Sequence, residues 1–207
     1  MIYLTRHGES VWNKDHRYQG NAPIGLSEAG REHAELLADA LSDAGITTIY
    51  ASPTQRCVET AGIIADRLGV PVEYDPRLRE WEISENLWGE TSLRDKVSSD
   101  DWERLRANYD FSLPAGESLN AVIQRTLEGF DEISHVEGRK PLIVTHQINV
   151  QLILAQASIG LPDPPKLFPA INRLWIDYCS ISILGEKYNY ARVLRMNDVC
   201  HLNGYLK

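Results

Sequence analysis

Short apolar runs that end on polar residues alternate with helical stripes along this chain, and this alternation limits its fold more than any other feature. Residues 2–7, 47–52 and 71–75 are such runs, and 141–146, which carries Leu142-Ile143-Val144-Thr145-His146, is the most apolar. Strands buried on both faces read this way, as they do in parallel sheets, and the segments between them keep helical periodicity. Ser27 is an N-cap for a helix with a core-facing stripe of Ala29, His33, Leu36, Leu37, Ala40 and Leu41, and Gly45 is its stop. Ser52-Pro53 reads as a cap followed by proline at the first helical position of a helix that runs to Leu68 and ends at Gly69. Leu119, Val122, Ile123, Leu127, Phe130 and Ile133 mark a long amphipathic helix, and another follows His146 to about Gly160. Residues 161–169 hold four prolines and read as a loop, and 174–184 with 190–197 read as a hairpin joined around Gly185. The pattern predicts an α/β three-layer sandwich: a mostly parallel central sheet, helices on both faces, and room for an antiparallel closing strand.

A length of 207 residues fits one domain over 1–207 and is enough to bury a core without disulfide or metal staples. The less regular stretch from Pro76 to Gly116 reads as an insertion, a lid at about 81–116 over the sheet, rather than a second domain. Cys57, Cys179 and Cys200 are far apart, form no C-x-x-C pair and leave an odd thiol, as expected of a reduced, cytoplasmic protein. No apolar run is long enough to span a membrane, and the N-terminus shows no basic region followed by an apolar one, so no signal peptide is expected. The net charge of −8 argues against nucleic acid or an anionic membrane as the main partner.

Open α/β sheets bind ligands outside the carboxyl ends of their strands. Of the six histidines, His7 and His146 fall at such ends, whereas His16, His33, His135 and His201 do not. A strand-end histidine alone can be purely structural; two that converge on one edge suggest a site. Arg6 precedes His7, and Arg56 stands in the first turn of a helix, where a cation opposes the helix dipole. Rule-breaking residues of this kind cluster at functional sites, although a single arginine is as readily a solvated surface charge. Two arginines, two histidines and helix N-termini at one edge form a pocket for a tetrahedral dianion, because guanidinium N–H pairs match phosphate oxygens.

Other phosphate chemistries fail on inspection. The nearest match to a P-loop, Gly20 to Ser27, has Leu26 where lysine belongs. No cysteine is followed six positions on by arginine, and no D-x-D, H-E-x-x-H, H-x-H or G-x-S-x-G occurs. Histidine is then the best candidate nucleophile.

Thr5-Arg6-His7-Gly8-Glu9-Ser10 with Trp12-Asn13 resembles the signature of the histidine phosphatase superfamily, in its phosphoglycerate mutase-like branch. The likeness continues in order through Arg17-Tyr18-Gln19-Gly20, Leu26-Ser27-Glu28-Ala29-Gly30, Ala51-Ser52-Pro53 with Arg56, and Leu78-Arg79-Glu80. It returns at Gly116-Glu117-Ser118, Val144-Thr145-His146 and Asn197-Asp198 with His201-Leu202. The resemblance implies that His7 becomes phosphohistidine and that Arg6, Arg56 and His146 bind the phosphoryl oxygens, with Asn13, Gln19 and Gly20 adding substrate contacts. It implies that Glu80 is the general acid and then the base, which requires a raised pKa such as burial beside Trp81 would provide. Without the resemblance, Glu80 would read as an ordinary surface carboxylate. His201 near the C-terminus fits a structural role as well as a functional one.

Two departures from the family pattern stand out. Residues 81–89 are shifted and lack the first glycine, which the family often carries after Leu-Arg-Glu, and Gln147-Ile148-Asn149 follow His146 where glycine is common. Both lie where the leaving group would be held, so they bear on the substrate. The expected activity is metal-independent hydrolysis of a small phosphomonoester, with no cofactor and a possible homodimer. The alternatives are phosphoglycerate mutase-type transfer and a non-catalytic phospho-ligand-binding domain; the short insertion favours the phosphatase. Arg94, Lys96, Arg104 and Arg106 either recognise a carboxylate or balance neighbouring acids, and Trp12, Tyr18, Trp81 and Trp88 either line a pocket or pack.

Overall fold

In the computed structural model, residues 1–159, 171, 173–187 and 190–202 are described. The chain runs β1 (Ile2–Arg6), α1 (Val11–Lys14), α2 (Glu28–Ala40), β2 (Thr48–Ala51), α3 (Gln55–Leu68) and β3 (Val72–Tyr74). It continues through α4 (Ser99–Ala107), α5 (Leu119–Ser134), β4 (Pro141–Thr145), α6 (Gln147–Ile159), β5 (Ile181–Lys187) and β6 (Tyr190–Asp198). These strands form one sheet in the order β3-β2-β4-β1-β5-β6. The first four are mutually parallel, and β5 runs antiparallel to both β1 and β6. The mostly parallel α/β sheet expected from the strand pattern is therefore present.

The central strands are apolar because both faces are covered. On one face Leu37, Leu41, Cys57, Ala61 and Ile64 of α2 and α3 pack on Tyr3, Ile49, Leu142 and Val144. On the other, Ile133 of α5 and Val150, Ile153 and Leu154 of α6 pack on Leu4, Tyr50 and Ile143. The one-residue alternation of strand side chains explains why Tyr3 and Leu4, or Leu142 and Ile143, serve opposite cores. Burial at about 25 cal/mol per Å² of apolar surface makes these two layers the main source of stability. Residues 85–113 gather a small core of their own around Leu87, Val97, Leu105 and Leu113.

Three local expectations need correction. The α3 cap is Thr54, without a side-chain cap bond, and the helix starts at Gln55 rather than Pro53. Ser52 does not cap because its hydroxyl is drawn to His146. The buried stripe of α2 is Gly30, His33, Ala34, Leu37 and Ala38; Ala40 is exposed because the helix rolls slightly onto its alanine side. Gly185 lies inside β5 opposite Arg192, so it is not the hairpin turn, and residues 174–180 precede the strand. The loop expected at 161–169 lies outside the described residues. In the 93–106 region, Lys96 pairs with Glu90 and Arg104 with Asp101, as charges on a solvated surface do.

The turn after β1 meets the start of α2 backbone to backbone. A Cβ on Gly30 would come within 1.9 Å of the Glu9 carbonyl oxygen, and one on Gly8 within 2.4 Å of the Gly30 oxygen. Glycine is therefore required for close approach. Gly30→Ala is expected to cost about 1–3 kcal/mol, the usual penalty of overpacking, read as a lower midpoint in urea denaturation.

Candidate active site

Register places the catalytic candidates. Arg6 pairs with Thr145 and Ala51 with Val144, so β1, β4 and β2 end together at the middle of the sheet. The His7 N–H donates to the Thr145 carbonyl (2.9 Å) and the Ser52 N–H to the Val144 carbonyl (3.0 Å), which carries the pairing one residue past each strand. His7 and His146 thereby stand side by side, with ring centroids 5.1 Å apart at 65°.

Arg56 joins them. Its side chain is 1% exposed and crosses from α3 to the strand ends. Nε donates to His7 Nε2 (3.1 Å), Nη2 to His146 Nδ1 (3.1 Å) and to the Gly20 carbonyl (2.6 Å). An arginine only donates, so the facing ring nitrogens carry lone pairs. The bond network therefore assigns both tautomers: His7 Nδ1–H donates to the Gly8 carbonyl (2.7 Å), and His146 Nε2–H points at Ser52 Oγ (3.0 Å). His7 Nε2 is thus a lone pair held in fixed orientation against a guanidinium.

Arg6 is equally buried. Nη1 donates to the Ile176 carbonyl (2.7 Å), the guanidinium stacks 3.9 Å from the centroid of the Tyr178 ring, and Nε is buried with no hydrogen-bond partner among the described residues. Glu80 lies across the site with Oε2 3.9 Å from His146 Nδ1, while Oε1 accepts the Trp81 N–H (2.9 Å). Gly20, expected at the substrate, meets Arg56 through its carbonyl; its φ of +47° and a Glu82 carboxyl 2.3 Å from any added Cβ both require glycine. Asn13 and Gln19 turn their carbonyl ends toward Ser10, whose Oγ lies 2.9 and 2.6 Å away, so the amide nitrogens are the ends not engaged there.

Electrostatics follow from burial. Desolvation, then the charges of Arg56 and Arg6, push His7 well below its ordinary range; desolvation and Arg56 do the same to His146. Burial raises Glu80 against the pull of Arg56 and Arg6. Burial also pushes the Cys57 thiol, 3.5 Å from His146 Nε2, up to about 11, so it is protonated at neutral pH and no rival nucleophile.

Sequence reasoning missed Ile176, Tyr178 and Glu82. Tyr178 reaches the site because its chain segment pairs beside Arg6, with the Cys179 N–H donating to the Arg6 carbonyl (2.9 Å) and Cys179 at φ +52°. His201 donates to the Cys179 carbonyl (3.0 Å), and Asn197 grips Asp177 through two 2.8 Å bonds, so both fasten this segment rather than touch the site. Glu82 is buried and accepts from Tyr18 Oη (2.9 Å), the Asn21 N–H (2.7 Å) and Trp88 Nε1 (3.0 Å). Tyr18 and Trp88 thus serve packing and tether the 18–21 loop to the insertion. No motif marked these residues, because most of the contacts that define their roles are long-range.

The paired histidines and buried arginines at the ends of a parallel sheet form a donor set able to receive a tetrahedral anion. The chain belongs to the histidine phosphatase superfamily, branch 1, whose family profile matches residues 2–199. It is 36% identical over 187 residues, 88% of this chain and 83% of the relative, to an Erwinia tasmaniensis protein named as a probable phosphoglycerate mutase, GpmB. It is similar in structure to the α-ribazole phosphatase of Shigella flexneri, with TM-score 0.80, 26% identity, and 95% and 96% of the two chains covered. The likeness to Bacillus stearothermophilus YhfR has TM-score 0.82 and 29% identity over 97% and 98% of the two chains.

The buried histidines leave a signature in stability. Below their ordinary pKa of 6.5 the unfolded chain takes up protons that folded His7 and His146 refuse, so stability falls as pH drops below 6.5 and is unaffected by them above it. Each contributes a slope approaching about 1.4 kcal/mol per pH unit. Glu80, raised in the fold, has the opposite sign: its contribution is lost as pH rises above 4.5. Chemical denaturation of His7→Gln and His146→Gln between pH 6.5 and 5 should each show a correspondingly shallower dependence than the unaltered chain.

Proposed function

We propose that the protein is a metal-independent phosphatase that hydrolyses a small phosphomonoester through a phosphohistidine at His7. The observation that carries this reading is the fixed His7 Nε2 lone pair beside Arg56, with Nδ1–H held by the Gly8 carbonyl. The lone pair attacks phosphorus as the P–O ester bond breaks, and the Glu80 carboxyl gives its proton to the departing alkoxide. Glu80, now a carboxylate, takes a proton from water whose oxygen attacks the same phosphorus and breaks the P–N bond. Inorganic phosphate leaves, and His7 and Glu80 return to their starting forms. Arg6 and Arg56 offset the charge of the transferring group, which is the main demand of phosphoryl transfer. His146 Nδ1, an acceptor from Arg56 here, becomes a donor to a phosphoryl oxygen by taking the proton that a monoanionic ester brings, and returns it as inorganic phosphate leaves. Asn13 and Gln19 offer amide N–H groups at the rim.

Hydrolysis rather than transfer to a second substrate is supported by the end-to-end likeness to a named phosphatase and by Glu80 itself. Its side chain is 23% exposed, which gives water a route to it. The mutase reading draws on the similarity to GpmB. It predicts that a bisphosphoglycerate primer strongly stimulates isomerisation of 3-phosphoglycerate; absence of stimulation removes it.

Rapid quench with an aryl phosphate should trap an acid-labile, alkali-stable phosphoenzyme, unchanged by EDTA and lost in His7→Ala. A His7→Ala protein that still turned over phosphomonoesters at the original rate would falsify the nucleophile assignment. Glu80→Gln should lower kcat on an alkyl phosphate by about 10²–10⁴-fold, the usual worth of general acid–base catalysis.

A further inference from the structure

We infer that Arg125 and its partner Glu117 are positioning residues for the general acid, an assignment that rests on the role proposed for Glu80. Residues 79–82 lie outside every helix and strand of the fold, so something else must hold the backbone from which the Glu80 carboxyl projects. That holder is a side chain on α5. Arg125 Nη1 donates to the carbonyls of Arg77 (2.7 Å) and Arg79 (2.6 Å), and Nη2 to the carbonyl of Glu80 itself (2.9 Å). The same guanidinium forks onto Glu117, with Nε to Oε2 at 3.0 Å and Nη2 to Oε1 at 2.6 Å.

Glu117 closes the clamp from the other side. Its Oε1 accepts the Glu82 N–H (3.2 Å), its own N–H donates to the Glu82 carbonyl (2.8 Å), and its carbonyl accepts Trp81 Nε1 (3.0 Å). Every residue from 79 to 82 is thus bonded to one member of a single ion pair, whose side chains are only 16% and 25% exposed. A planar fork can serve a carboxylate and three carbonyls at once, which an ammonium cannot do in fixed directions. Arg125 stands in the second turn of a sixteen-residue helix packed on the sheet and Glu117 just before its N-cap, and so the pair refers Glu80 to the frame that carries His146.

A pair that merely stabilised the fold would affect all substrates alike. A pair that positions the acid matters only when the leaving group needs a proton. Displacement by 1 Å can cost about 10²-fold in rate, but an ester of 2,4-dinitrophenol leaves as the anion and has little use for Glu80.

The test compares kcat/KM for an alkyl phosphate and 2,4-dinitrophenyl phosphate in the full-length protein, its Arg125→Gln and Arg125→Lys variants, and Glu117→Gln. Both Arg125 variants should lose about 10²-fold on the alkyl ester and less than about five-fold on the aryl ester. Lysine should fail to rescue despite its charge. Equal losses on the two esters, or alkyl turnover within about two-fold of the original, would overturn the assignment. Should Arg125→Gln not fold, Glu117→Gln, which leaves the three carbonyl contacts, should show a smaller loss with the same bias, and an unbiased loss there overturns it equally. A wild-type protein inert toward both esters would instead remove the phosphatase reading and this assignment with it, whereas turnover with unbiased variants removes only the assignment.

Discussion

Arg56 is the constraint on which the rest depends. A guanidinium removed from water costs several kcal/mol unless its donors are met, and here they are met by neutral groups: two backbone carbonyls, Gly20 and Ala22, and two imidazole lone pairs. Among the described residues, neither it nor Arg6 forms an ion pair with a carboxylate. A fold stabilised by this arginine alone would supply an acid. Lone pairs from His7 and His146 satisfy the geometry without cancelling the charge, so the site stays positive and oriented before any anion enters. Preorganised charge of this kind needs no rearrangement during the reaction.

The same desolvation tunes the remaining groups in complementary directions. Burial makes the histidines resist protons, and partial desolvation lets Glu80 hold one more readily. The proposed cleavage would need a neutral nucleophile and a protonatable acid, and one cause rather than separate devices would supply both. The arginines sharpen this contrast at the histidines and moderate it at Glu80, which leaves the carboxyl able to return to its charged form as a base.

The sheet was legible because buried parallel strands write themselves as apolar runs, and the strand-end positions of His7 and His146 follow from where those runs stop. Arg56 was legible as a violation of the helix dipole. The net charge of −8 said nothing about this edge, where two arginines are buried and Glu80 lies across from them. Tyr178 was not legible, because its stacking on Arg6 spans some 170 residues and depends on a left-handed Cys179 that no glycine announced. The α3 cap was misread for an informative reason: Ser52 has two possible partners, and the buried imidazole of His146 outcompetes a helix end that water can serve.

The shifted segment 81–89 then acquires a physical meaning. Where the family pattern often has a glycine after Leu-Arg-Glu, this chain carries Trp81, and the adjacent Glu82 gathers donors from Tyr18, Asn21 and Trp88. A carboxylate buried among neutral donors is costly unless all its bonds are made, so the insertion and the 18–21 loop are obliged to dock together or not at all. Gly20 lies in that loop with its carbonyl on Arg56. The position of the Arg56 guanidinium is therefore linked, through the Gly20 loop and Glu82, to the insertion. On the proposed function, changes in 81–89 would alter substrate preference without replacing a phosphoryl contact, because they act on the tether, while the ends of β1 and β4 hold His7 and His146 independently.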